Sequence, residues 1–113
     1  MNLEIHARGI EMTESLRELI ERRVLVGLDR FASRVQRVRV QLTDLNGPRG
    51  GVDIRCKIEA SLGAAGAVVV HETRETPFSA VSEAGDAVKR AVRRRIKRLR
   101  MRRRAARRPI EPS

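Results

Sequence analysis

One stretch limits what this chain can fold into more than any other. Phe78, Val81, Gly85, Val88, Val92, Ile96 and Leu99 recur at helical spacing. At about 100° per residue they lie within an arc of about 80°. A stripe that narrow is buried on one side only, so the helix must lie on a second layer of structure. Thr76-Pro77 opens it, an N-cap followed by proline at the first helical position. Ala80, Ala84, Ala87 and Ala91 flank the stripe and suit close approach by another helix. Gly85 costs about 1 kcal/mol of helix propensity and favours tight packing. The stripe fails after Leu99, because Arg103 stands where the next apolar residue belongs. The packed helix is therefore expected to end near Arg100 or Met101. That divides the chain into a domain over residues 1–101 and a basic, flexible tail over residues 102–113.

The layer beneath is a sheet. Leu3, Ile5 and Ala7 alternate with Glu4, His6 and Arg8, the period of a half-buried strand. Residues 35–43 repeat the pattern, with Val38, Val40 and Leu42 inward and Arg37, Arg39 and Gln41 outward. Val52, Ile54, Cys56, Ile58 and Ala60 alternate with Asp53, Arg55, Lys57 and Glu59, and residues 67–74 give a fourth strand. Glycine-rich turns at 44–51 and 61–66 make the last three strands antiparallel neighbours. The first turn places Arg49 at its tip. Between strands one and two, Thr13 caps a helix that runs to about Asp29 or Phe31. Leu16, Leu19, Ile20, Val24, Gly27 and Phe31 form its stripe. Leu25 and Val26 fall off that stripe. Either this helix is apolar on a second side or its geometry shifts near Gly27.

These elements predict an α+β fold of order β-α-β-β-β-α. It is a two-layer sandwich, a four-stranded sheet with two helices on one face. The other face carries Arg37, Arg39, Arg55 and Lys57.

Charge is distributed unevenly over this frame. Residues 1–88 hold twelve bases against thirteen acids, whereas residues 89–113 hold thirteen bases against Glu111 alone, within a chain of net charge +11. From Lys89 onward no acid interrupts the helix. Lys89, Arg90, Arg93, Arg94, Lys97, Arg98 and Arg100 surround its apolar stripe. Like charges at i,i+4 each destabilise a helix by a few tenths of a kcal/mol, a repulsion that a polyanion relieves. Of the 25 bases 22 are arginine, whose planar fork suits phosphate, although a coding bias toward arginine accounts for that choice equally well. Clustering is the stronger signal, and it points to nucleic acid. With Phe31 and Phe78 as the only aromatics, recognition through stacked aromatic side chains is disfavoured.

Other features have plain readings. Cys56 lies in the inward phase of its strand and reads as a small buried hydrophobe rather than a nucleophile. His6 and His71 have no metal-ligand cluster around them. Glu11, Glu14, Glu18 and Glu21 form a solvated helix face, and the loop at 46–51 lacks a P-loop signature. No enzyme activity, cofactor or small-molecule substrate is expected. With one cysteine, no signal peptide and no membrane span, a cytoplasmic protein is expected.

Ile5-x-x-x-x-x-Glu11-x-Thr13-x-x-Leu16-Arg17, Phe31, the Val35–Leu42 strand, Thr76-Pro77-Phe78-Ser79-Ala80-Val81, Asp86 and Lys89-Arg90-x-x-Arg93-Arg94 occur in that order. Over residues 2–100 the chain resembles the short ribosome-hibernation factors, the ribosome-associated inhibitor family of bacteria (sigma-54 modulation proteins). It departs from the family pattern in a first helix one residue longer near Leu25–Gly27. Phe78 stands in place of a tyrosine, Pro77 in place of an apolar residue, and Ala87 where lysine is frequent. The resemblance implies a double-stranded-RNA-binding-domain-like architecture, monomeric off the ribosome. It implies docking on 16S rRNA of the 30S ribosomal subunit and occlusion of the mRNA and A- and P-site tRNA channel. A general RNA-binding or subunit-assembly role is the alternative. Attachment to a membrane is disfavoured by the absence of tryptophan.

Overall fold

The computed structural model describes residues 1–46 and 53–107. Strand β1 spans Asn2–Arg8, helix α1 Glu14–Glu21, β2 Arg37–Asp44, β3 Ile54–Ser61, β4 Ala67–Arg74 and helix α2 Pro77–Arg107. The sheet order is β1-β2-β3-β4, with β1 parallel to β2 and the later pairs antiparallel. This is the predicted β-α-β-β-β-α sandwich. The turn at 47–51 with Arg49, and the expected strand residue Val52, lie outside the described residues.

Both helices cover the same sheet face. Ala80, Val81, Ala84, Val88, Val92 and Ile96 of α2 are buried over β3 and β4, while Leu16 and Ile20 of α1 complete the core. No polar or charged residue among those described is buried. Capping follows the sequence. The Thr13 hydroxyl accepts the Leu16 N–H at 3.2 Å and the Thr76 hydroxyl accepts the Ser79 N–H at 3.1 Å.

Of the two options left open for the first helix, the geometry shifts. Arg22–Val26 form a π turn, and a single 3₁₀ turn follows at Asp29–Phe31. Buried positions run Leu16, Ile20, Val24, Leu28. On an ideal α-helix, steps of four residues drift by about 40° each. The wider π turn absorbs the extra residue and cancels that drift. Leu28 therefore takes the core place, at 0% exposure, that a straight helix would give to Gly27, and Val26 is left 70% exposed. Gly27 is required here, because a Cβ would run into the Arg23 carbonyl oxygen.

The second difference is the end of α2. Packing stops where the stripe stops, with Ile96 the last buried residue and Met101 60% exposed. The helix nevertheless runs on to Arg107 instead of ending near Arg100 or Met101. Residues 102–107, read from the sequence as part of a flexible tail, are helical; residues 108–113 lie outside the described residues. Arginine, alanine and methionine are strong helix formers, so the backbone needs no packing partner to continue. At 31 residues α2 is about 46 Å long, against about 26 Å for an eight-residue strand. The radius of gyration, 17.3 Å, accordingly exceeds the roughly 13 Å of a compact chain this size.

Candidate nucleic-acid interface

The proximal half of α2 has two acids, and each meets an arginine from another element. Glu83 lies 3.7 Å from Arg74 and Asp86 lies 3.4 Å from Arg23. Beyond them, Lys89, Arg90, Arg93, Arg94, Lys97, Arg98 and Arg100 are all exposed. Among the described residues none of these seven forms an ion pair with an acid. Arg95 differs. Its guanidinium donates to the Ala65 carbonyl oxygen at 3.0 Å and ties the β3–β4 turn to the helix. That leaves the seven as a surplus of positive charge on a rigid rod, and Ile96 and Val92 fix its orientation.

Six of the seven fall on identifiable flanks. Where α2 passes the π turn, Gly85 lets the two segments approach, since a Cβ there would stand 3.0 Å from the Arg23 Cβ. Lys89 borders this notch together with Arg22 and Arg23. Farther along the same seam, Arg93, Lys97 and Arg100 are joined by Arg30 and Arg104. On the opposite flank Arg94 and Arg98 stand beside Ala67 and Val69 of the β4 edge. Arg22, Arg30 and Arg104 were not singled out from sequence, because only the helix-to-helix seam brings them to the same line.

The open sheet face divides in two. Register places Glu4, Arg39, Glu59 and Val69 in one cross-strand row and Asn2, Arg37, Ser61 and Ala67 in the next. Arg39 Nε donates to Glu4 at 3.2 Å, Arg37 Nε lies 3.9 Å from the same carboxylate and His6 Nε2 3.8 Å. The hydrogen bond from Arg39, ahead of the charges of Arg39, Arg37 and His6, holds the Glu4 carboxyl below its ordinary pKa. Arg37 and Arg39 are thus on the expected face but already share a counter-charge. The other half is different. Its rows are His6-Gln41-Lys57-His71 and Arg8-Thr43-Arg55-Thr73, with no acid in either. Arg55 and Lys57 gain Arg8 as a third cation, one visible in the outward phase of the first strand but placed beside them only by the parallel β1–β2 register.

Little in the described residues favours reaction chemistry. Burial pushes the Cys56 thiol up to about 12, so it is protonated and shielded, the reverse of an activated nucleophile. No group of three or more His, Cys, Asp or Glu side chains is placed to hold a metal ion among these residues. No helix among them is long and apolar enough to cross a membrane.

A cationic helix on an α+β sandwich of this topology has relatives. Residues 3–100 match the sequence model described as sigma 54 modulation protein / S30EA ribosomal protein. The chain belongs to this family. Its fold is similar to the N-terminal domain of Protein Y from Thermus thermophilus, with TM-score 0.69 and 26% identity over 83% of this chain and 98% of that one. It is also similar to a ribosomal subunit interface protein from Coxiella burnetii, with TM-score 0.68 over 83% of this chain and 96% of that one. At 11% identity the latter likeness is one of fold alone. No curated protein matches the chain in sequence. The helical extension Met101–Arg107 lies beyond the family match.

Proposed function

We propose that this chain is a ribosome-associated translation inhibitor of the hibernation type. It docks on 16S rRNA of the small subunit and occludes the channel used by mRNA and by A- and P-site tRNA. One observation carries the reading: within a family described as ribosomal, the seven exposed cations from Lys89 to Arg100 of α2 pair with no acid among the described residues. Phosphate supplies the missing counter-charge, and release of condensed counterions provides the driving force. Lys89, Arg90, Arg93, Arg94, Lys97, Arg98 and Arg100 are the main contacts. Arg55 and Lys57, with Arg8, form a second set on the open sheet face, and Arg37 and Arg39 contribute less because Glu4 holds them. Inhibition is steric and needs no reaction, cofactor or small molecule. The protein acts as a monomer in the cytoplasm, and residues 102–113 add affinity without setting the docking place.

A sucrose gradient of stationary-phase extract, probed for this protein, tests the reading first. The protein is expected in the small-subunit and 70S fractions. Purified small subunits then test the mechanism, because initiator tRNA with mRNA and this protein should exclude one another. Simultaneous binding would favour a general RNA-binding or assembly role, and absence from every ribosomal fraction would refute both.

A further inference from the structure

The seam between the first helical segment and distal α2 ends in a basin whose composition phosphate binding alone does not explain. Its floor is apolar, formed by Phe31, Ile96 and Met101. Its walls carry Arg30, Arg93, Lys97, Arg100 and Arg104, and no acid lines it. The cavity measures about 360 Å³, near the bottom of the roughly 300–1,000 Å³ range of small-ligand sites. That suits a single nucleoside and is far too small for a duplex. The guanidinium carbon of Arg30 lies 5.4 Å from the centroid of the Phe31 ring, so an aromatic ring and a planar cation stand together where wall meets floor.

We infer that this basin receives one unpaired nucleotide of the bound RNA. Its base lies against Phe31, Met101 and the Arg30 plane, and its flanking phosphates meet Arg93, Lys97 and Arg100. The inference rests on the ribosome-binding reading and adds to it the kind of RNA feature recognised. A duplex presents phosphates and groove edges but no free base face, so against duplex RNA the apolar floor stays wet. An unpaired base covers it, and bases stack on aromatic rings and on arginine planes alike; two phenylalanines disfavour stacking as the general mode of binding but leave one such place at Phe31. The opposite flank, where Arg94 and Arg98 adjoin Ala67 and Val69, has cations without an aromatic and serves only phosphate. An anionic lipid surface needs the same charge, but it needs apolar side chains that protrude. Here Ile96 is only 3% exposed, and Met101, at 60%, is one flexible side chain rather than an apolar face.

The full chain is titrated with two RNA hairpins of equal length and charge, one fully paired and one carrying a single bulged 2-aminopurine. Wild type is expected to bind the bulged hairpin about tenfold more tightly, with a change in 2-aminopurine fluorescence. Phe31→Leu, checked for native circular dichroism, and the exposed-site variant Met101→Gln should each reduce the preference. Arg94→Gln/Arg98→Gln should weaken both hairpins equally and keep it. Equal affinity of wild type for the two hairpins, unchanged fluorescence, a preference that survives in both basin variants, or no binding to either at low salt overturns the inference. So does flotation on phosphatidylserine vesicles that the basin variants abolish while the bulge preference persists. Co-sedimentation with small subunits separates the two levels. If it is intact without any bulge preference, only the basin assignment falls; if wild type does not co-sediment, the ribosome reading falls whatever the hairpins do.

Discussion

Between Pro77 and Val88, α2 carries two acids and no base; between Lys89 and Arg107 it carries twelve bases and no acid. The first half lies over the sheet with Ala80, Val81, Ala84 and Val88 buried, and its two acids lie beside Arg74, which also binds Glu72, and Arg23. The second half passes the sheet end, has Val92 and Ile96 as its last buried residues, and of its cations only Arg95 hydrogen-bonds into the fold among the described residues. The acids of the proximal half thus have arginines beside them, whereas the cations from Lys89 to Arg100 pair with no acid among the described residues. On the proposed reading one helix serves as both core element and docking element, and the boundary falls where its acids stop rather than where its helicity stops.

If that division is right, variants on the two halves should separate binding from stability. The largest effect is expected from Arg90→Gln/Arg93→Gln/Arg94→Gln/Lys97→Gln. Affinity for small subunits should fall on the order of 100-fold or more at ~0.1 M salt. The melting temperature should hold or rise slightly as i,i+4 repulsion is relieved. Val92→Ala should do the reverse. A cavity at this fully buried position is expected to cost about 1–3 kcal/mol in denaturant titration, while the affinity of the folded protein is unchanged. Gly27→Ala should cost about 1–2 kcal/mol, because the Arg23 carbonyl is backbone and cannot move aside cheaply. The smallest effect belongs to the sheet face. Glu4→Gln should leave stability nearly unchanged and raise RNA affinity at low salt about two- to fivefold, by freeing Arg37 and Arg39 for phosphate. The folded Glu4 carboxyl titrates below its ordinary value. Its pairing is therefore fully present above the unfolded carboxylate range and lost as pH falls through the depressed value. Acidification through that window should raise affinity as the substitution does.

Much of this was legible before the structure. Strict alternation in 2–8, 35–43 and 52–60 specified three strands and their inward faces, and the stripe from Phe78 to Leu99 specified which side of α2 is buried. Distances across the fold were not legible. Glu4 belongs with Arg39 only through the parallel register of β1 and β2, so Arg37 and Arg39 looked as free as Arg55. Arg30 and Phe31 join the site only through the helix seam. The off-stripe pair Leu25 and Val26 recorded an extra residue near Gly27 but not its resolution as a π turn with Leu28 in the core. The far end of α2 was misjudged for another reason. Loss of an apolar stripe reports loss of packing, while arginine and alanine sustain a solvated helix by propensity.

Docking through distal α2 is tested most directly by the salt dependence of small-subunit binding, measured by co-sedimentation for wild type and for the variant with Arg90, Arg93, Arg94 and Lys97 all changed to glutamine. Each phosphate contact adds about 0.9 to the slope of log affinity against log salt. The wild-type slope should therefore be steep, and the variant's shallower by about three to four. Equal slopes and equal affinities for the two proteins would contradict the assignment of docking to the distal half of α2.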